Sequence, residues 1–146
     1  MYVPKDLRER VRRKYGGRCA YSGTVLKTDW QVDHYYPVRY CNTVLPNVLP
    51  KITEKAITNP NVFHNLMPAQ RIINHYKRAL TPERFKNWFL GGLHKRLQKL
   101  PKNPKVQKSI RHKQYLLEVA MLFDITEDKP FSGVFYFETL TFKRTS

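Results

Sequence analysis

Four polar side chains stand out because their types and order could support hydrolysis of a phosphodiester bond. Asp33 and His34 are adjacent at the end of an alternating apolar segment, and two amides follow, Asn65 and Asn74. A neutral histidine can take a proton from water near neutral pH, since its ordinary pKa is about 6.5. Carboxylate and amide oxygens are hard ligands that suit Mg²⁺. We therefore expect a general base, a residue that orients it, and two ligands for a divalent cation.

In this hypothesis His34 is the general base, and Asn65 fixes its imidazole so that Nε2 faces the attacking water. Asp33 and Asn74 hold one Mg²⁺ or Mn²⁺ ion per site. Adjacent residues of a regular strand point to opposite faces, so Asp33 and His34 can converge on one phosphate only where the strand ends. Pro37 favours an ending at this point. We therefore expect irregular backbone at His34.

The composition is strongly basic, with 27 Lys and Arg against 11 Asp and Glu among 146 residues, for a net charge of +16. Such a chain attracts polyanions, and nucleic acid is the first candidate partner. Charge alone leaves three functions open: a nuclease, a non-catalytic nucleic-acid-binding module and an RNA-packing protein. Two cysteines make no disulfide framework. The sequence offers no signal peptide and no membrane-spanning segment, so we expect a cytoplasmic protein without membrane partners.

Apolar periodicity predicts a mostly helical α+β chain that forms a single domain over 1–146. A basic helical arm (1–18) precedes a core (19–80), and a helical extension with a C-terminal strand follows (81–146). A long loop of undefined role covers 35–61, and its Cys41 is read as an inert thiol. Short strands are expected around Val25–Val32 and a C-terminal strand over Phe131–Phe137. Helices are expected at Pro4–Tyr15, Ala69–Leu80, from Pro82, at Leu93–Leu100 and at Val106–Phe123.

Two helical faces are assigned from spacing. The long helix is expected to bury Ile110, Leu117, Ala120 and Met121. Four aromatic residues at helical spacing are expected in the core rather than as base-stacking platforms: Phe85, Trp88, Phe89 and Tyr115. Cations that share a face with Asn74, or that lie on the arm, are candidates for contact with DNA phosphates: Arg71, Lys77, Arg78, Arg12 and Arg13.

Three segments together resemble the HNH endonuclease motif of phage and bacterial proteins: Trp30–Pro37, Asn65–Ala69 and Asn74–Lys77. The resemblance implies a ββα-metal finger embedded in a small helical domain and a metal-dependent endonuclease acting on DNA, most often double-stranded. It also implies Asp33 and Asn74 as metal ligands. The nine-residue separation between Asn65 and Asn74 matches the family and selects Asn74 over His75. Products would carry 5′ phosphate and 3′ hydroxyl ends.

The sequence departs from the family where many members bind a structural zinc ion. Cys19 stands at the first of four cysteine positions, but Ser22, Gln70 and Ile73 occupy the others. One thiolate cannot build a tetrahedral zinc site, so no structural zinc is expected. We expect this knuckle to be held by packing of Tyr21, Ile73 and Trp30 instead. Target sequence, nicking against double-strand cleavage, and oligomeric state stay open.

Overall fold

The computed structural model describes residues 3–38 and 59–145, with side chains up to residue 140. It is a small α+β structure, mostly helical, with a two-stranded antiparallel hairpin. Two compact units are distinguished: a hairpin unit, Met1–Pro82 with Phe135–Ser146, and a helical unit, Glu83–Val134. The sequence predicts a single domain whose helical extension begins at residue 81, close to the start of the helical unit. Cys41 and most of the predicted 35–61 loop lie outside the described residues.

The described part of the chain contains two strands, and its other elements are helical. The hairpin unit contains α1 (Lys5–Arg13), β1 (Gln31–His34), a 3₁₀ turn (Phe63–Asn65), β2 (Leu66–Ala69) and α2 (Arg71–Lys77). A short helix α3 (Pro82–Arg84) continues into a π-helix (Phe85–Leu90), and α4 (Leu93–Lys99), α5 (Gln107–Leu122) and α6 (Tyr136–Thr145) complete the chain. The predicted helices are confirmed to within a few residues at each end.

The hairpin and α2 form the centre of the hairpin unit. Gln31 pairs with Ala69 and His34 with Leu66 in antiparallel register. All four residues of β2 are buried, which explains its continuous apolar sequence. The α2 helix begins two residues after β2, at Arg71, and packs against β1. Because the strands are joined across residues 35–65, this hairpin is a non-local pairing that propensity alone does not predict.

The amino-terminal helix packs on the hairpin through a narrow apolar stripe. Val11 packs with Trp30 and Leu66 in one buried cluster, with Leu7 at its edge. Above Trp30, the Arg8 guanidinium lies 4.0 Å from the ring centre and donates a 2.7 Å hydrogen bond to the Trp30 carbonyl oxygen. Arg8 is therefore part of the packing that attaches α1 to the hairpin, rather than a cation projecting into solvent.

The predicted C-terminal strand is wrong, because Tyr136–Thr145 is helical. The segment leading into α6 nevertheless packs on the body as expected. The amides of Tyr136 and Phe137 donate to the carbonyl oxygens of Tyr21 and Ala20, at 3.0 and 2.9 Å. The contact is close enough to require glycine opposite it: a Cβ at Gly23 would lie 2.7 Å from the Tyr136 ring. The aromatic residues at this point fill space against the knuckle instead of extending a sheet.

The helical unit buries a different face of α5 from the one predicted. Leu116, Val119 and Ala120 are buried, whereas Leu117 and Met121 are exposed. The buried residues have i, i+3, i+4 spacing and form one ridge of the helix. The predicted set contains Ala120 from this ridge, but Leu117 and Met121 belong to the next ridge, about 100° around the helix. Among the aromatic residues, Phe85 is buried as expected, but Trp88 is 73% exposed.

No helix within residues 3–38 and 59–145 is both long enough and apolar enough to cross a membrane.

Candidate active site

Two polar contacts join α2 to the same face of β1. Gln31 and Asp33 are two residues apart on the strand and so point the same way, while Asn74 and Lys77 are one turn apart on the helix. The Asn74 side-chain amide donates to Gln31 Oε1 at 2.7 Å, and Lys77 Nζ lies 3.1 Å from Asp33 Oδ2. Asp33 and Asn74 therefore both lie between the strand and the helix, and each is bonded to a different partner.

The Asp33 carboxylate is buried and held through one of its oxygens. Oδ2 accepts a 2.5 Å hydrogen bond from the Tyr21 hydroxyl as well as the ion pair with Lys77. Burial raises the pKa of Asp33, while the Lys77 ammonium and the Tyr21 hydroxyl act in the opposite direction. Within the described residues no donor bonds Oδ1, and Asp33 lines a pocket. One oxygen is thus anchored and the other is available to a ligand.

Lys77 is placed differently from the prediction, which put it among the DNA-contacting cations. It is 0% exposed, and its ammonium also donates to the His34 carbonyl oxygen at 3.0 Å. A buried ammonium cannot reach a phosphate backbone at the surface. Its contribution is to neutralise Asp33 and to tie the end of β1 to α2.

His34 is the last residue of β1, and the bend expected at His34 begins one residue later, at Tyr35. Its Nε2 lies 2.8 Å from Asn61 Oδ1. Because that amide oxygen accepts, Nε2 carries the proton and the lone pair is on Nδ1. The nitrogen able to act as a base in this arrangement is Nδ1, not the Nε2 that the sequence hypothesis turned towards water.

Asn65 does not orient the His34 ring as predicted. Its amide accepts from the Tyr36 backbone N–H at 2.9 Å and donates to the carbonyl oxygens of Tyr36 and Pro60, at 3.1 and 2.9 Å. All of these bonds fix the turn that follows β1, and the buried amide has its polar atoms occupied. Asn61 takes the orienting position, and sequence reasoning missed it because its signal, an Asn four residues before Asn65, resembles any turn residue.

A pocket of about 270 Å³ opens beside the end of β1, lined by Asp33, His34, Pro37, Val38, Arg78 and Ala79. Arg78 follows α2 directly and adopts φ of 53° and ψ of −142°, a backbone conformation that favours glycine. Its exposed guanidinium has no hydrogen-bonding or ion-pair partner within the described part of the chain. An acid, an imidazole and a guanidinium therefore border one cavity, which is a chemistry suited to a phosphate ester.

The arginines of the arm are partly committed to a carboxylate. Glu9 accepts from Arg12 and Arg13, with closest contacts of 2.6 and 3.0 Å. These hydrogen bonds, chiefly that from Arg12, lower the pKa of Glu9 to about 2. Arg71 on α2 is exposed, as is His75. Of the five cations predicted to face DNA, Arg71, Arg78 and Arg13 are exposed, Arg12 and Arg13 share one counter-ion, and Lys77 is buried.

The positions that carry zinc ligands in many HNH proteins are held here by packing and by a hydrogen-bonded glutamine. Tyr21, Ile73 and Trp30 are buried as predicted. In addition, Gln70 accepts from the Lys27 N–H at 3.1 Å and donates to the Thr24 hydroxyl and the Val25 carbonyl oxygen, at 2.9 and 2.7 Å. This side chain joins the knuckle to the start of α2, a structural role that its isolated position in the sequence did not indicate.

The candidate site offers few side-chain ligands to a divalent metal ion. No group of three or more His, Cys, Asp or Glu side chains in the described ranges could hold one. Two oxygens are of the type that a hard ion prefers: Asp33 Oδ1, and the Asn74 amide oxygen, since Asn74 contacts Gln31 through its nitrogen. Asn74 is not among the residues that line the pocket of Asp33, so an ion held by both would take most of its ligands from water and a phosphate.

Comparison with known proteins adds no assignment. No protein-family model matches the chain, and no curated protein or solved structure shows significant similarity to it.

Proposed function

We propose that this chain is a metal-dependent endonuclease of the HNH type that hydrolyses DNA phosphodiester bonds. The observation that carries the proposal is the convergence of Asp33, His34 and Arg78 on one pocket. The order of residues in the sequence motif supports it, as does the presence of a helix directly after an antiparallel hairpin. The net charge of +16 supports a polyanionic substrate.

The chain's own residues would divide the work as follows. His34 Nδ1 accepts the proton of the attacking water, while Asn61 holds the ring through Nε2. Arg78 binds a non-bridging phosphate oxygen and stabilises the charge that develops on it. Lys77 and Tyr21 oppose the effect of burial on the pKa of Asp33 and fix the orientation of its carboxyl group. His34 and Asp33 are positioned by the end of β1 and Lys77 by α2, while Tyr21 and Asn61 contact them from other segments. These side chains are therefore in place before substrate binds, whereas the guanidinium of Arg78 is free to adjust to the phosphate.

Asp33 and Asn74 would hold a Mg²⁺ or Mn²⁺ ion, which when bound supplies charge stabilisation at the phosphate and the leaving oxygen. Among the residues that the structure describes, the site offers one carboxylate, and the adjacent Lys77 already neutralises it. The exposed guanidinium of Arg78 adds a further positive charge at the same pocket. We therefore expect the ion to bind weakly to the protein alone and more tightly together with the phosphate oxygens of DNA.

A nicking assay on supercoiled plasmid tests the proposal. Activity with Mg²⁺ or Mn²⁺, its loss in chelator and a loss of about 10²-fold or more in His34→Ala are expected, because general-base catalysis contributes ~10²–10⁴-fold. His64→Ala is the matched control, since His64 is exposed and does not line the pocket. Comparing Asn74→Ala with His75→Ala distinguishes the two candidate metal ligands. Equal nicking by wild type and His34→Ala would exclude the assigned base.

A second function is a non-catalytic nucleic-acid-binding protein that retains a degenerate HNH finger. The specific observation in its favour is the buried ion pair, because Lys77 provides Asp33 with a cation without any metal. This alternative predicts that His34→Ala binds duplex DNA like the wild type and that no divalent ion yields nicked plasmid. The nicking assay therefore separates the two functions with the same set of variants.

A further inference from the structure

The helical unit has an uneven distribution of charge. Residues 84–113 contain ten Lys and Arg and no Asp or Glu. Most of these cations are exposed: Arg84, Lys95, Lys99, Lys102, Lys105, Lys108 and Arg111. The segment covers the π-helix, α4 and the first half of α5. This surface therefore attracts polyanions independently of the pocket in the hairpin unit.

One large aromatic side chain is exposed within this basic segment. Trp88 is 73% exposed, whereas the chain's other tryptophan, Trp30, is 7% exposed. Burying a tryptophan is a major source of stability, so an indole left in water is unusual. The position is a π-helix, a conformation that is rare and is frequently found at functional sites.

The backbone that carries Trp88 is held firmly. Arg96 donates to the carbonyl oxygens of Trp88 and Phe89, and the Gly92 N–H donates to the Trp88 carbonyl oxygen at 3.2 Å. The turn is tight enough to require glycine, since a Cβ at Gly91 would lie 2.6 Å from the Asn87 carbonyl oxygen and one at Gly92 2.8 Å from that of Trp88. The indole is thus presented on a fixed support rather than on a loose loop.

We propose that Trp88 is a stacking platform for an unpaired nucleotide base and that the helical unit is a second, metal-independent binding site for single-stranded DNA. Every base has a π-face, so an exposed indole among cations binds single strands with little sequence preference. In duplex DNA the faces are stacked on one another and are not available. A second copy of this chain is the less suitable occupant, because two such basic surfaces repel each other.

The test uses the full-length His34→Ala variant in chelator, so that its outcome does not depend on nuclease activity. Oligothymidylate is titrated while tryptophan fluorescence is recorded. The tryptophan fluorescence of the His34→Ala protein, which retains Trp88, should be quenched. Adding Trp88→Phe should abolish most of that quenching, because the remaining Trp30 is buried under Arg8. Trp88→Ala should bind oligothymidylate about ten-fold more weakly, as expected when one stacked base is lost, and Trp88→Phe should retain most of the affinity.

Met121→Ala provides a matched control, since Met121 is an equally exposed apolar side chain of the same unit. It should bind oligothymidylate like the parent. Unchanged affinity in Trp88→Ala would overturn the proposal, as would equal quenching and affinity with a blunt duplex. Sedimentation gives a third criterion: a change from dimer to monomer in Trp88→Ala would assign the indole to self-association instead.

Discussion

The Lys77 ammonium lies 3.1 Å from Asp33 Oδ2 with both side chains buried, so the acidic residue of the candidate site carries its own counter-ion. The same ammonium contacts the His34 carbonyl oxygen. One lysine of α2 therefore fixes two consecutive residues of β1. The ion pair gives Asp33 a structural role in addition to the role proposed for it, so replacing either partner should lower the stability of the fold.

Lys77→Met should lower the free energy of unfolding by about 3–5 kcal/mol, because it leaves the buried Asp33 carboxylate without its partner. Urea denaturation measures this change. Arg71→Met on the exposed side of α2 is the control and should change stability by less than about 0.5 kcal/mol. The double variant Lys77→Met with Asp33→Asn should recover part of the loss. Equal stability of Lys77→Met and Arg71→Met would contradict the role assigned to the pair.

Asn61 and Asn65 should respond to mutation in different ways. Asn61→Ala removes the bond to His34 Nε2 at an exposed position, so we expect about ten-fold slower nicking and an unchanged unfolding midpoint. Asn65→Ala removes three hydrogen bonds around Tyr36 and Pro60, so we expect a loss of about 2–4 kcal/mol in stability. Nicking rates and thermal melts on both variants check the assignment. It fails if Asn65→Ala is fully stable and only its nicking is impaired.

Glu9→Gln should strengthen DNA binding. The carboxylate of Glu9 is shared by Arg12 and Arg13, and its removal makes both guanidinium groups available to phosphates. Two additional phosphate contacts would steepen the dependence of log affinity on log salt by about 1.8. Asp29→Asn removes the same charge from an exposed turn and should leave the slope unchanged. Identical salt slopes for the two variants would show that the arginines do not reach DNA.

Lys14 should make stability depend on pH in the alkaline range. Its Nζ donates to the carbonyl oxygens of Phe63 and Leu66, each at 3.0 Å, and burial lowers the pKa of the ammonium to about 8. The unfolded lysine has its ordinary pKa of 10.5, so the unfolded chain binds more protons between these values. Stability should therefore rise with pH from about 8 towards 10.

The comparison with Lys14→Met isolates this effect, because other groups titrate equally in both proteins. The difference in unfolding free energy between wild type and variant should widen in favour of the wild type as pH rises through about 8. Parallel pH profiles would mean that the ammonium keeps its ordinary pKa in the folded state.

Local signals in the sequence predicted most helices and the first strand of the hairpin, but not β2. Proline, glycine and apolar spacing define α1, α4 and α5 to within a few residues. The C-terminal aromatic segment was misassigned because strand propensity reflects packing, and Phe135 obtains that packing against Tyr21 at 4.9 Å without entering a sheet. The buried face of α5 was misassigned because two adjacent apolar ridges run along the helix. Which of them is buried depends on what each ridge contacts in the fold.

The sequence indicated which residues lie near the candidate site better than it indicated their hydrogen-bond and ion-pair partners. Asp33 and His34 do border one pocket, and Asn74 lies on the face of β1 that carries Asp33. Which amide holds the imidazole and which cation is buried depend on contacts between residues more than 25 positions apart, such as His34 with Asn61 and Asp33 with Lys77. Such contacts are set by the tertiary fold, and a motif read along the chain does not contain them.

The packing of Phe135, Tyr136 and Phe137 against the knuckle has a consequence for the order of events during synthesis. Tyr21 anchors Asp33, and Tyr21 is itself covered by residues that the ribosome adds only after the whole helical unit. A nascent chain that stops before residue 135 has the strand, the histidine and the arginine but lacks the aromatic cover over its aspartate anchor. The basic helical unit is therefore synthesised first, and the hydroxyl that anchors Asp33 is covered only afterwards.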